Sequence, residues 1–596
     1  MQFIIISKKE KFKEGDLNRA FLNFKFAPSL IAEESVKIEI NNFIVYLYPY
    51  NHIINEKEGY SYYADSNKIL IANGLFNVDN VIRNDYIEIL FDNLKEDSDL
   101  LGDYQLILID KNGNGFFKTP QFGLRQLFYY EDETCTVLST ELKLIVDGLE
   151  KFKEKPFVEN YDSNFIYDST FREWGKRKYP KSTIFKDIKR ISPHDEKYFE
   201  DGKIVIKEKE KIEIPESFEE EFLKNRKSLY DKYYKNLIKF SEENLAKIQP
   251  TTEKIRVGLT GGFDSRLSVA ILKPICDKVG IDLQTFTGGV DDHPDVILAK
   301  QVAKCLDLNY THSIPQDGKQ ISPQIIDQYM FSFYRSQGDF NSNNLPEVSR
   351  KIPANNLILH YGNDAYKRHD MNLLYSANRW SARRRLYMNM FFFPLFYTEQ
   401  EVYFALSYAK NNENSKEFIY ELLNRSNPKL LKIPFVGKEL PCTEVKAYAS
   451  PKKSKFHEKI PFLWDYNLVK DKLNPILTKH LNKKIGFKGK FFLKVVGLNE
   501  LDFFLNPKIL RIIKKYRKKK ISMKKMIKML LKEKKSNIFI KQDKFIKLIK
   551  NDSHKKTKSI MIILMDYASV ADMHSFEEIE KTVDFDKIKN PKRLVE

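Results

Sequence analysis

The spacing of apolar and polar residues changes character along the chain. Residues 1–148 carry short apolar runs at 3–6, 43–48, 68–72, 105–109 and 136–138, separated by turn residues. Short alternating runs of this kind predict a β-rich layered unit. Over 217–245 the period lengthens, and Phe222, Leu229, Tyr233, Leu237 and Phe240 fall at helical spacing. That spacing predicts one long charged amphipathic helix, and Ser217 with Glu220 three residues later has the form of a capping box at its start. Farther on, strand runs at 255–259, 283–289 and 356–360 alternate with helical stretches, including one at 295–306.

Between the first of these strands and its helix the chain reads Val257-Gly258-Leu259-Thr260-Gly261-Gly262-Phe263-Asp264-Ser265-Arg266-Leu267. A strand, a tight glycine turn and a helix N-terminus make an anion site, because free N–H groups and the helix dipole converge there. Gly261 and Gly262 are expected to provide positive φ and close backbone approach to an oxyanion. Asp264 suits Mg²⁺, a hard cation that prefers carboxylate and phosphate oxygens. The stretch is not a Walker loop, which needs four residues between its glycines and then Lys-Ser/Thr. On its own it also has the form of an ordinary glycine-rich strand-to-helix turn.

Composition narrows the class. The chain has 596 residues, 42% of them hydrophobic and 13% aromatic, enough for packed cores and against disorder. The four cysteines, Cys135, Cys276, Cys305 and Cys442, form no CxxC and indicate neither a disulfide framework nor a zinc cluster. The opening apolar run is too short for a signal segment or a membrane span, so a cytoplasmic protein is expected. Residues 508–558 hold 21 Lys and Arg against three acids, which accounts for nearly all of the net charge of +19. A specific nucleic-acid partner is therefore not expected. That segment interleaves its lysines with Ile512, Ile513, Met526, Met529 and Leu530, as a basic amphipathic helix pair on an anionic surface or a solvated bundle would.

The 260–265 loop resembles the Ser-Gly-Gly-hydrophobic-Asp-Ser loop of the asparagine-synthetase-type ATP pyrophosphatases, with Thr260 for the first Ser. Four further fragments, in family order, resemble that family's N-terminal glutamine-amidotransferase domain. They are Asn73-Gly74-Leu75-Phe76-Asn77, Gly102-Asp103-Tyr104-Gln105, Gly123-Leu124-Arg125-Gln126-Leu127-Phe128-Tyr129 and Ser139-Thr140-Glu141-Leu142-Lys143. The resemblance implies an α/β multidomain protein. An N-terminal Ntn-hydrolase-like sandwich would span 1–148, a connector and helix 149–250, and a doubly wound parallel-sheet ATP-pyrophosphatase domain 251–430. A helical Lys-rich region would follow at 431–596.

It also implies a site. ATP and Mg²⁺ would be bound by Leu259, Thr260, Gly261, Gly262, Asp264 and Ser265, with Phe286 and Thr287 bordering the adenine. Tyr361-Gly362-Asn363-Asp364 resembles the Ser-Gly-Glu-Gly-x-Asp-Glu loop, so Asp364 takes the second Mg²⁺ position beside Gly362, although neither glutamate of that motif survives. Two lysines compete for the catalytic role. Lys416 keeps the family's twelve-residue spacing to Pro428, while Lys490 has the better local match in Gly489-Lys490-Phe491-Phe492-Leu493.

The departures decide the chemistry expected of the N-terminal part. The family's nucleophile is an N-terminal Cys, and here position 2 is Gln2, whose amide forms no thioester. Leu75 stands where the family holds glutamine with a glutamate. Glutamine hydrolysis is therefore expected to be lost. The remaining reading is an ATP-dependent ligase that adenylates a small-molecule or peptide carboxylate and passes the acyl group to an amine or ammonia. Relatives without the cysteine include β-lactam synthetases and lasso-peptide cyclases, and the resemblance allows a homodimer. The alternatives are asparagine synthesis from ammonia and a catalytically inactive nucleotide-binding scaffold. A tRNA-thiolating enzyme would want cysteines near the loop.

Overall fold

Phe3, Ile4, Ile5 and Ile6 are all fully buried, which a strand achieves only when both its faces are covered. In the computed structural model they lie on the first of two antiparallel sheets. The structure describes residues 2–13, 17–22, 35–48, 60–78, 100–119, 127–153, 181–209 (save 182, 184, 193 and 194), 213–249, 254–313, 356–359, 391–395 (save 394), 399–437 and 445–448.

The early strands are β1 (Gln2–Lys8), β2 (Val36–Ile40), β3 (Phe43–Tyr48), β4 (Tyr60–Ala64), β5 (Lys68–Val78) and β6 (Leu100–Asp110). They continue with β7 (Gly115–Lys118), β8 (Leu127–Glu131), β9 (Cys135–Ser139), β10 (Ile188–Ile191), β11 (Glu196–Glu200) and β12 (Lys203–Lys207). One sheet has the order β10-β8-β9-β1-β3-β2 and the other β12-β11-β7-β6-β5-β4. Phe3, Ile5, Val45 and Leu138 of the first meet Ile69, Ile71, Ile107 and Phe199 of the second in one apolar layer. Helices α1 (Leu17–Phe21) and α2 (Leu142–Lys153) belong to the other face of the first sheet. There Phe21 stacks on Tyr46 at 5.1 Å and its carbonyl accepts the Tyr48 hydroxyl at 3.0 Å. All five predicted β runs of this part are strands. Residues 188–207, placed in a connector by the sequence, instead complete both sheets, β10 against β8 and β11 against β7.

Lys143 and Lys197 are both buried in this part, and Lys197 carries a shifted pKa. Lys197 donates to Thr119 Oγ1 at 3.1 Å and to the Ser192 carbonyl at 3.3 Å. Burial pushes its pKa down to about 7, and the nearby Asp195 works in the opposite direction. Between about pH 7 and the ordinary lysine value the unfolded chain binds a proton that the folded one does not, so folding stability rises with pH across that window. The slope approaches about 1.4 kcal/mol per pH unit, the value for one proton. Urea unfolding at pH 7 and 9 is expected to show this rise in the wild type and to lose it in Lys197→Met.

The predicted long helix is two, α3 (Glu216–Lys224) and α4 (Arg226–Ile248). Asn225 separates them in a non-helical conformation (φ −146°, ψ 58°), and its side chain accepts the Ser228 N–H at 3.3 Å. An Asn that bonds to the following backbone competes with continuation of the helix and starts a new one. The expected capping box is not formed: Pro215 holds the N-cap position of α3 without a side-chain bond, and Ser217 is already inside the first turn. The spaced apolar residues are nonetheless core, with Phe222, Leu229, Tyr233, Leu237 and Phe240 all buried.

The second unit is a parallel sheet of β13 (Lys254–Gly258), β14 (Asp282–Gly288), β15 (Asn309–Ser313), β16 (Asn356–Leu359) and β17 (Phe391–Phe393). Its order is β15-β14-β13-β16-β17. Successive strands run one way from β13 and then restart on its other side, so the order reverses between β13 and β16. Open α/β sheets bind ligands outside the carboxyl ends of strands at such a reversal. Helices α5 (Phe263–Val279), α6 (Pro294–Leu306), α7 (Glu399–Lys410) and α8 (Lys416–Ser426) complete the described part. Ile255, Val257 and Leu283 pack with α3, α4, α5, α7 and α8 in one core. No described helix is long and apolar enough to cross a membrane. The 508–558 segment lies outside the described residues.

Candidate functional site

The loop after β13 sits at the reversal of strand order and runs straight into α5. Leu259 extends the strand by one residue. Its N–H donates to the Phe286 carbonyl at 2.9 Å, and its own carbonyl accepts the Thr287 hydroxyl at 2.5 Å. Past Leu259 the backbone turns, and two hydroxyls hold the turn. The Thr260 N–H donates to Ser265 Oγ at 3.0 Å, the two hydroxyls lie 3.1 Å apart, and the Gly262 N–H reaches Thr260 Oγ1 at 3.3 Å. A threonine hydroxyl thus does at position 260 what a serine would do. Gly262 is the N-cap of α5 with no side-chain cap. A helix leaves its first N–H groups without intrahelical acceptors, and its macrodipole adds partial positive charge there. Asp264 is half-buried in that first turn.

Of the two glycines only Gly261 is constrained by its surroundings, and not through positive φ. Neither has positive φ, and Gly262 is extended at φ −84° and ψ 177°. At Gly261 the constraint is space: a Cβ there would lie 2.4 Å from Val436 Cγ2 and 3.0 Å from Leu298 Cδ1. Both backbone groups of Gly261 are also tied. Its N–H donates to Asp295 Oδ1 at 2.9 Å, and its carbonyl accepts the Val436 N–H at 3.2 Å. Asp295 is held in the first turn of α6, where its own N–H donates to His293 Nδ1 at 3.2 Å.

Sequence reasoning named Asp295 only as a helix start, and Val436 and Arg266 not at all as site residues. Arg266 was open to detection, since a charge at 266 shares a helix face with Val269 and Ala270. It is fully buried, and burial pulls its pKa down to about 9. Asp295 carried only the mark of an acid in the turn after Pro294.

The other expected residues separate. Thr287 is buried and its hydroxyl donates to the Leu259 carbonyl. Phe286 points to the opposite face of β14, half-buried, with the Arg256 guanidinium 5.3 Å from its ring centroid. Lys416 begins α8, where its N–H donates to Asn414 Oδ1 at 3.1 Å, and the adjacent Glu417 pairs with Arg226. It is the other end of α8 that leads, through a 3₁₀ turn at Pro428–Lys432, to the segment beneath the loop. Ten residues of helix put about 15 Å between Lys416 and Ser426. Gly362, Asp364 and Lys490 lie outside the described residues.

In the N-terminal part Gln2 opens β1, opposite Tyr48. Cys135 pairs with Lys8 at the far end of that strand, six residues or roughly 20 Å away. It is fully buried, and burial raises its thiol pKa. It is no substitute for a nucleophile at position 2.

No protein-family model matches the chain, and no curated protein matches it. Among solved structures, NMN synthetase from Francisella tularensis is similar over 37% of this chain and 98% of that one, at 12% identity and a TM-score of 0.16. Similarity at that level carries no argument about fold or chemistry. The functional reading rests on the loop.

Proposed function

We propose that this chain is an ATP-dependent amide-forming ligase. A substrate carboxylate attacks the α-phosphorus of ATP, the α–β phosphoanhydride bond breaks, and an acyl-adenylate and pyrophosphate result. An amine or ammonia then attacks the acyl carbon, AMP leaves, and the amine loses a proton. The observation that carries the reading is the hydroxyl-Gly-Gly-Phe-Asp-Ser loop joining β13 to the N-terminus of α5 at the reversal of strand order.

Each residue has a role in this scheme. The first-turn N–H groups of α5 receive the pyrophosphate oxygens, and Thr260 with Ser265 holds the turn that aims them. Asp264 is the described carboxylate suited to Mg²⁺, which takes one or two carboxylates together with phosphate oxygens. Asp364, beyond the end of the neighbouring β16, is the second candidate ligand. Bound Mg²⁺ would supply neutralisation of the charge that builds on the departing pyrophosphate. Phe286, beside Arg256, and Thr287 are the candidates to border the base. The cation expected near the α-phosphorus is Lys416, which heads α8, or Lys490. The acyl substrate belongs to natural-product, peptide or polysaccharide tailoring.

The test is pyrophosphate release from Mg-ATP against pooled amino acids, uronic acids and peptides. Release triggered by one pool supports the ligase and names its substrate class. ATP binding without release from any pool supports a nucleotide-binding scaffold. A further outcome follows from Gln2: ammonia sustains amide formation, and glutamine in its place gives less than about one hundredth of that rate. Equal rates would mean a glutaminase site elsewhere in the chain. Loss of the nucleophile of a catalytic unit costs on the order of a millionfold in rate, so a hundredfold margin is a lower bound.

A further inference from the structure

We infer that Arg266 is a positioning residue for the anion site: it gathers residues 430–436 beneath the 260–265 loop, and that segment fixes Gly261. The inference rests on reading the loop as a pyrophosphate site.

The guanidinium reaches three backbone carbonyls of one short segment. Nη1 donates to the carbonyls of Leu430 at 3.2 Å and Ile433 at 2.6 Å, and Nη2 to that of Pro434 at 2.7 Å. Its plane lies against Phe435, 3.8 Å from the ring centroid. Phe435 in turn meets Phe263, the first residue of α5, at 4.4 Å. The next residue is Val436, whose N–H donates to the Gly261 carbonyl and whose side chain fills the space a Cβ on Gly261 would need. One side chain, one turn into the helix, therefore organises the floor on which the loop rests.

The residue type matters. A planar fork satisfies several carbonyls at once and stacks on a ring, and a lysine ammonium does neither. Burying a guanidinium among neutral acceptors is costly, and Nε has no hydrogen-bond partner among the described residues. A role limited to tying off the 3₁₀ turn would leave the loop indifferent to Arg266. A positioning role couples the two.

Hydrogen exchange of the full-length protein without nucleotide separates these cases, in wild type and Arg266→Met. The expected result is faster exchange, by tenfold or more, at both 430–437 and 259–265, with the β-sandwich amides unchanged. Loosening of 430–437 alone would overturn the inference. If Arg266→Met does not fold, Phe435→Leu carries the same criterion, because it removes the ring that links Arg266 to Phe263. Titration with Mg-pyrophosphate adds a second readout: affinity falls at least tenfold in Arg266→Met, and Arg266→Lys does not restore it. Restoration by lysine would assign the effect to charge and overturn positioning. Should the wild type bind no pyrophosphate, the function proposed above fails, while hydrogen exchange still decides whether Arg266 sets the loop.

Discussion

Gly261→Ala is expected to reduce Mg-pyrophosphate affinity by tenfold or more, although alanine is the smallest substitution available. Its Cβ would lie 2.4 Å from Val436 Cγ2, 3.0 Å from Leu298 Cδ1 and 3.2 Å from Asp295 Oδ1. Valine is branched at Cβ and stiff about χ1, so the neighbour does not swing aside. Overpacking of this kind costs about 1–3 kcal/mol. The strain is relieved most readily by displacing the loop, whose N–H and carbonyl hold Asp295 and Val436. Since about 1.4 kcal/mol is a factor of ten, that displacement accounts for the expected loss. Two controls make the explanation specific. Val436→Ala removes the atom in the way, so the double variant Gly261→Ala/Val436→Ala recovers most of the affinity. Gly262→Ala meets only Thr260 Oγ1 at 3.4 Å, an ordinary contact, and remains within about threefold of wild type. Titration of the four proteins against Mg-pyrophosphate checks the whole set. Equal losses at 261 and 262 would sink the steric explanation.

Asp264→Ala is expected to lower pyrophosphate release by at least about a hundredfold while leaving the fold in place. An acid in the first turn of a helix stabilises it through the macrodipole by about 0.3–1 kcal/mol. A carboxylate that helps hold a divalent cation against a leaving group accounts for several kcal/mol of the barrier. The ratio of the two effects therefore separates a metal ligand from a helix-stabilising acid. Asp264→Asn sharpens the contrast, since it keeps the shape and loses the charge. Release near the wild-type rate in Asp264→Asn would remove Asp264 from the metal's coordination.

The apolar pattern carried much of this fold. Runs such as 3–6 and 43–48 are legible because side chains on both faces of those strands are buried, which admits only apolar residues. The spacing from Phe222 to Phe240 identified the buried face correctly and overlooked the break at Asn225, because that break is a local contest between an amide side chain and the backbone. The turn itself was legible down to the exchange of Ser for Thr260, since a hydroxyl is all the geometry asks for. The reason for Gly261 was not legible. It depends on Val436, far along the chain, and no local rule connects them. Arg266 went unremarked, and its partners are carbonyls, which leave no mark in a sequence. Lys416 shows what spacing along the chain leaves open. Its spacing to Pro428 is kept, yet a helix turns that spacing into separation, with the lysine at one end and the route to the loop at the other.

The first measurement to make is the identity of the nucleotide products when ATP, Mg²⁺, ammonia and the activating carboxylate pool are incubated with the wild type and with Asp264→Ala. AMP and pyrophosphate in equal amounts from the wild type, with neither from the variant, are the predicted result. ADP and phosphate from the wild type would contradict it, because they would place the cleavage at the γ-phosphorus and leave the loop without the role assigned to it here.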